Sequence, residues 1–133
     1  MGVLGNKNAR VLPPLEIVYR DGDVTLTFEK KRLSNDWFVC PAPLTAQESH
    51  KMQQLALQAY RVLGFKDFGR IDMILTEEGP FLLEGNTFAG LTCIPKEKPR
   101  SYIGFMARAE GKDGEDLLSE IVRAAFERLW AHE

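Results

Sequence analysis

Four side chains could do chemistry here: Arg70, Asp72, Glu84 and Asn86, all within "GRIDMILTEEGPFLLEGNTFAGLT" (residues 69–92). The stretch reads as two strands around a turn. Alternate residues of a strand share a face. Arg70, Asp72 and Ile74 therefore share one face of the first strand, and Ile71, Met73 and Leu75 share the other. In the second strand Leu82, Glu84 and Asn86 share a face, opposite Phe81, Leu83 and Gly85. A three-residue loop of Glu77, Glu78 and Gly79, with the glycine left-handed, pairs Thr76 with Pro80 and Ile74 with Leu82. It also sets Asp72 against Glu84 and Arg70 against Asn86, with facing Cβ atoms roughly 4.5–5.5 Å apart.

Facing carboxylates repel unless something neutralises them. A divalent cation would do so, and oxygen donors alone (Asp72, Glu84, the Asn86 carbonyl) suit Mg²⁺ or Mn²⁺. Arg70 on the same face offers a planar fork for a phosphoryl group. The set therefore reads as a metal–polyphosphate site. Two other readings stay open. One is an ordinary charged hairpin face, whose pairing a one-residue slip would abolish. The other is a carboxyl pair sharing a proton for acid–base work.

These strands need elements to hold them. "GVLGN" reads as the end of a strand. "PLEIVYRDGDVTLTF" reads as two strands joined by a hairpin at Asp21-Gly22. Residues 29–44 read as an ordered loop with a short extended piece near Trp37. Thr45 and Glu48 form a capping-box pattern at a helix start. Met52, Leu55, Ala56, Ala59, Tyr60 and Leu63 follow at helical spacing, and Gly64 is placed to end the helix. Residues 101–111 suggest a short helix. A last helix spans about 114–131, with Leu118, Ile121, Val122, Ala125 and Leu129 as its core stripe. Mixed strands and helices with hairpins predict an α+β fold on an antiparallel sheet.

The 133 residues suit one domain with a real core. Seventeen basic side chains against nineteen acidic ones leave a net charge of −2, which is no nucleic-acid footprint. The one basic cluster, "KEKPR" (residues 96–100), contains a glutamate and a proline and reads as a solvated loop. No apolar run approaches the roughly 18 residues of a membrane helix, and no signal peptide is visible. Cys40 and Cys93 lack metal or redox spacing, which favours a reduced, cytoplasmic protein. His50 and His132 form no metal-ligand pair, which argues against zinc held by His and Cys.

Residues 69–92 resemble the C-terminal part of the ATP-grasp domain of D-alanine–D-alanine ligases. That family shows a GR-[IV]-D strand, a turn, a strand ending LLE-x-NT, and a P-G-[ML]-T segment. The similarity extends to "VLGN", "PPLEIVYRDGDVTLTFEKKRL", "CPAPLTAQESHKMQQLALQAYRVLG" and the last helix, so it covers nearly the whole chain. It implies two Mg²⁺ (or Mn²⁺) ions, with Asp72 on one, Glu84 bridging both and Asn86 on the second. ATP is the implied co-substrate. Arg70 would stabilise the transferring phosphoryl group, and the Gly90 N–H would help bind an oxyanion. Lys31 would reach the phosphates from a mobile loop, with Lys30 the alternative. The implied chemistry is phosphorylation of a carboxylate to an acyl phosphate, then attack by an amine, on small amino-acid substrates for peptidoglycan.

The sequence departs from the family pattern in places. Ala89 stands where the family has a proline, and Arg32 where it often has a tyrosine. The serine that touches the substrate carboxylate falls on Pro95 at ungapped spacing; with an insertion, Ser101 takes that role and Gly111 falls in step. These changes leave room for an ATP-grasp ligase of other amino or hydroxy acids. A non-catalytic nucleotide- or metal-binding or assembly module is a further alternative. The family's N-terminal domain and first ATP-binding subdomain have no counterpart in residues 1–20. The expectation is a single partial ATP-grasp domain over residues 1–133, inactive alone. Exposed apolar surface is then expected, with self-association through an edge strand near Val3 or pairing with the missing ligase domains.

Overall fold

A computed structural model describes residues 1–18, 37–91 and 101–130. The hairpin expected at Asp21-Gly22, the loop with Lys30, Lys31 and Arg32, and the segment with Cys93 and Pro95 lie outside them. The elements are β1 (Gly2–Leu4), β2 (Arg10–Val11), β3 (Glu16–Val18), β4 (Trp37–Val39), α1 (Ala46–Val62), β5 (Phe68–Thr76), β6 (Gly79–Asn86), α2 (Tyr102–Ala109) and α3 (Gly114–Trp130). Strands β2-β1-β5-β6 form an antiparallel sheet, and β3 pairs with β4 in a separate ribbon. The fold is α+β, as the mixture of patterns predicts. Among the described residues no helix is long and apolar enough to cross a membrane.

The sheet has a core on each face, because β1 alternates. Val3 joins Met52, Ala56, Ala59, Tyr60, Phe65 and Ile71 under α1. Leu4 joins Leu12, Ile103, Met106, Ala107 and Leu117 under α2 and α3. Val3 is fully buried, and its strand is paired on both sides. The expected self-association edge near Val3 is therefore not an edge; β2 and β6 occupy those positions.

Helix α1 begins as its sequence predicts. Thr45 Oγ1 accepts from the Glu48 N–H at 3.2 Å, and Glu48 Oε2 accepts from the Thr45 N–H at 2.8 Å. Its end is a double-bonded glycine cap. The Phe65 N–H donates to Tyr60 O at 3.0 Å and the Gly64 N–H to Arg61 O at 3.1 Å, with Gly64 at φ +72°. The cap turns the chain so that the Phe65 ring meets Tyr60 edge-on, 5.4 Å between centroids. Leu63, expected in the core stripe, ends up half exposed at the cap itself.

Phe65 explains two glycines in the opening motif. A Cβ at Gly69 would lie 2.4 Å from Phe65 Cδ2, and one at Gly85 would lie 2.8 Å from Phe65 Cζ. The ring thus packs on the back of β5 and β6 against Gly69 and Gly85, behind Arg70, Glu84 and Asn86.

Helix α3 is rotated from its expected position. Leu117 and Ala124 are buried, while Leu118, Val122 and Leu129 are exposed with Phe126 and Trp130. Hydrophobic period alone could not choose, because apolar residues cover much of this helix. Polar anchors choose instead. Glu120 receives two hydrogen bonds from Arg10 and one from Lys112; Asn6 Nδ2 donates to Ala124 O; Arg128 forks Asp67. The three anchored helix positions, Glu120, Ala124 and Arg128, fall on the Leu117 side, so the other stripe faces outward.

Two outcomes follow. Gly69→Ala forces the buried Phe65 ring to move, and denaturant unfolding should show a loss of about 1–3 kcal/mol. The Arg10 hydrogen bond, outweighing burial and assisted by Lys112, lowers the Glu120 carboxyl from its ordinary 4.5 to about 2. A depressed carboxyl pKa stabilises the fold above 4.5, and that stability is lost as pH falls towards 2. Unfolding free energy followed between those pH values should fall less steeply in Glu120→Gln than in the parent.

Candidate metal and phosphate site

The hairpin brings the four residues together in the expected register, by a different route. Arg70 pairs with Asn86 and Asp72 with Glu84. At the tip, however, Thr76 pairs with Gly79, Leu75 with Pro80 and Ile74 with Phe81. The turn is therefore a tight one over Glu77 and Glu78, with Gly79 at φ +125° in the strand's first pair. A bulge between the Asp72 and Met73 pairs absorbs the difference, leaving Leu83 as the extra residue. The bulge also corrects the facial assignment. Leu82 pairs with Met73, on the side away from Asp72, and Phe81 pairs with Ile74.

The charged face is the one covered by α2. Arg70 lies opposite Gly2, whose missing side chain leaves space filled by Leu12 and Met106. Arg70 Nε and Nη2 each donate to Asp72, both at 2.7 Å, a planar fork on one carboxylate. Its guanidinium also lies over the Tyr102 ring, 5.3 Å from the centroid. Burial lowers the Arg70 pKa, but the Asp72 hydrogen bonds and charge outweigh it and the net shift is upward, so the group stays charged.

Asn86 does the remaining neutralisation. Its Nδ2 donates to Asp72 Oδ2 at 3.2 Å and to Glu84 Oε1 at 3.0 Å. An amide NH₂ thus stands between the two carboxylates, where the charge argument places a cation. Oxygen donors from a facing Asp and Glu fit a hard divalent ion. For Asn86 to join them as a ligand, its amide must turn to present Oδ1. Among the described residues no group of three or more His, Cys, Asp or Glu side chains gathers as metal ligands; this set is a carboxylate pair plus an amide.

Two further expected residues adjoin the first four. Ser101 is buried and caps α2, its Oγ accepting from the Gly104 N–H at 3.1 Å. Gly90 is exposed beside it, so that a Cβ there would sit 3.8 Å from Ser101 Cβ. Because Tyr102 follows Ser101 and lies under Arg70, the α2 start links all six residues. Lys31 lies outside the described residues. Tyr102 was not singled out from sequence; a lone aromatic after a helix cap carries no periodic or motif signal.

The chain is similar to known proteins over most of its length. A family model described as D-ala D-ala ligase C-terminus matches residues 1–123. A D-alanine--D-alanine ligase of Cupriavidus pinatubonensis is 39% identical over 119 residues, covering 88% of this chain and 34% of that protein. One of Desulforudis audaxviator is 39% identical over 127 residues, covering 95% and 39%. Among solved structures, the VanG D-Ala:D-Ser ligase of Enterococcus faecalis aligns with TM-score 0.70 at 25% identity, over 92% of this chain and 34% of that one. The Coxiella burnetii D-alanine-D-alanine ligase has the same fold here, with TM-score 0.72 at 23% identity over 96% and 31%. The chain thus spans between 31% and 39% of the length of these relatives.

The geometry separates the two carboxylates. Asp72→Ala leaves Arg70 partly buried without its counter-charge and should lower stability by about 1–3 kcal/mol in thermal or denaturant unfolding. Glu84→Ala removes the like charge together with one of the two acceptors of the Asn86 amide, which keeps Asp72, and its melting temperature should match or exceed the parent's.

Proposed function

Because the chain belongs to the D-alanine–D-alanine ligase C-terminal family, we propose that it carries the metal- and phosphate-handling side of an ATP-dependent carboxylate–amine ligase site. One observation carries the reading: Asp72 and Glu84 face each other across a register fixed by a bulge, with Asn86 between them and Arg70 alongside.

In this reading Asp72, Glu84 and Asn86 hold two Mg²⁺ (or Mn²⁺) ions that carry the ATP phosphates, Glu84 serving both. Such ions neutralise phosphoryl oxygens during transfer. Arg70 offers its Nη1 corner to the transferring group: Nε and Nη2 engage Asp72, and Nη1 makes no bond among the described residues. The exposed Gly90 N–H, which no described residue accepts, is available to a developing oxyanion. Ser101, whose Cβ would lie 3.8 Å from a Cβ placed at Gly90, is the candidate for the substrate carboxylate. Lys31 is proposed for the phosphates from its family position alone.

D-Alanine is the proposed substrate at both positions, as the names of the Cupriavidus pinatubonensis and Desulforudis audaxviator relatives have it. Ala89, in place of the family's proline beside Gly90, favours a second reading in which the acceptor is another amino or hydroxy acid. Purified as the 133-residue chain, the protein should bind Mg²⁺–ATP in calorimetric titration and lose that binding in Glu84→Ala. It should form no dipeptide from ATP and D-alanine. Equal binding by the Glu84→Ala chain would sink the metal assignment. Robust ATP-dependent dipeptide formation would sink the half-site reading.

A further inference from the structure

We propose that Tyr102 is a positioning residue for the Arg70 guanidinium, holding the fork in the plane from which it meets a phosphoryl group. The inference rests on the phosphate reading above and extends it to a side chain that reading does not use.

Two contacts orient Arg70, and they constrain different motions. The bonds to Asp72 run along one edge of the guanidinium and fix its rotation within its own plane. They resist tilting out of that plane poorly, because both pass through the same edge. The guanidinium carbon lies over the Tyr102 ring, 5.3 Å from its centroid, and this attraction from a second direction opposes that tilt. Together they leave the Nη1 corner as the part of the fork not yet engaged.

The two contacts also respond differently to a cation. Asp72 is shared between Arg70 and Asn86, and a divalent ion at the carboxylate pair would compete for the same oxygens. With such an ion bound, the hold of Asp72 on Arg70 would be weaker. The ring is neutral, so its attraction for the guanidinium does not compete with a cation at Asp72. Tyr102 is the restraint that survives loading.

The ring is itself fixed. It meets Phe38 edge-on at 6.4 Å between centroids, and Phe38 packs on Phe105 at 4.1 Å. The buried hydroxyl of Ser101 caps the helix immediately before it. Tyr102 thus ties the Arg70 fork to the same helix start that places Ser101 beside Gly90.

The test uses the 133-residue chain with Tyr102→Leu and Tyr102→Phe, read by NMR and by titration with Mg²⁺ alone and with Mg²⁺–ATP. The Arg70 δ-methylene and Nε–H resonances should carry a ring-current shift in the parent and in Tyr102→Phe, and lose it in Tyr102→Leu. Mg²⁺–ATP affinity should fall about 3- to 10-fold in Tyr102→Leu and recover in Tyr102→Phe, while affinity for Mg²⁺ alone stays constant across all three. Tyr102→Met keeps apolar bulk without the ring face and replaces the leucine variant should that fail to fold. If the parent binds Mg²⁺–ATP and the ringless variant binds it equally well, the inference is wrong and the phosphate reading stands. If Mg²⁺ alone weakens in proportion, the residue is merely structural. If the parent binds no Mg²⁺–ATP, the phosphate reading falls and takes the inference with it.

Discussion

Two carboxylates face each other across the β5–β6 hairpin, and much of the structure is arranged around that repulsion. Asp72 and Glu84 are directly paired. In this hairpin nothing is gained from the pairing itself, since like charges opposed on a sheet destabilise it. The neighbours compensate: Arg70 forks Asp72, and the Asn86 amide bridges both acids. In the proposed function the same arrangement is a cation site held shut by surrogates, an amide in one place and a guanidinium in the other.

The back of the hairpin makes this tolerable. Phe65 reaches the sheet because Gly64 reverses the chain after α1, and it lies against Gly69 and Gly85 where no side chain intervenes. Ile71, fully buried, packs in the same cluster, with Met73 and Leu75 partly buried against it. Apolar packing on one face therefore holds the strands together while the other face carries charge. The bulge at Leu83 lets a tight two-residue turn coexist with the Asp72–Glu84 pairing. Without it, the same turn would slide Leu83 opposite Asp72 and send Glu84 to the other face.

Much of this was legible in the residues. Thr45 and Glu48 named the start of α1, Gly64 its end, and alternation named the two faces of β5, because each is a local signal with a local cause. The site register was right although the turn was not: the expected three-residue loop and the actual turn-plus-bulge differ at the tip and agree at Asp72. A bulge leaves no mark in alternation until the partner strand is known. The rotation of α3 was illegible for a related reason. Its outward stripe of Leu118, Val122 and Leu129 is as periodic as a buried one, and long-range anchors from Asn6, Arg10 and Asp67 decide which side turns inward. Tyr102 depends on a contact between residues 32 positions apart, read only in three dimensions.

The central claim is that the facing acids with Asn86 form a cation site for polyphosphate. Paramagnetic broadening by trace Mn²⁺ in the presence of ATP tests it most directly. Amide and side-chain resonances of Asp72, Glu84 and Asn86 should broaden first and together, and excess Mg²⁺ should restore them. Broadening that instead begins at the exposed acids Glu77, Glu78, Glu115 and Asp116, leaving the Asp72–Glu84 pair sharp, would contradict the account.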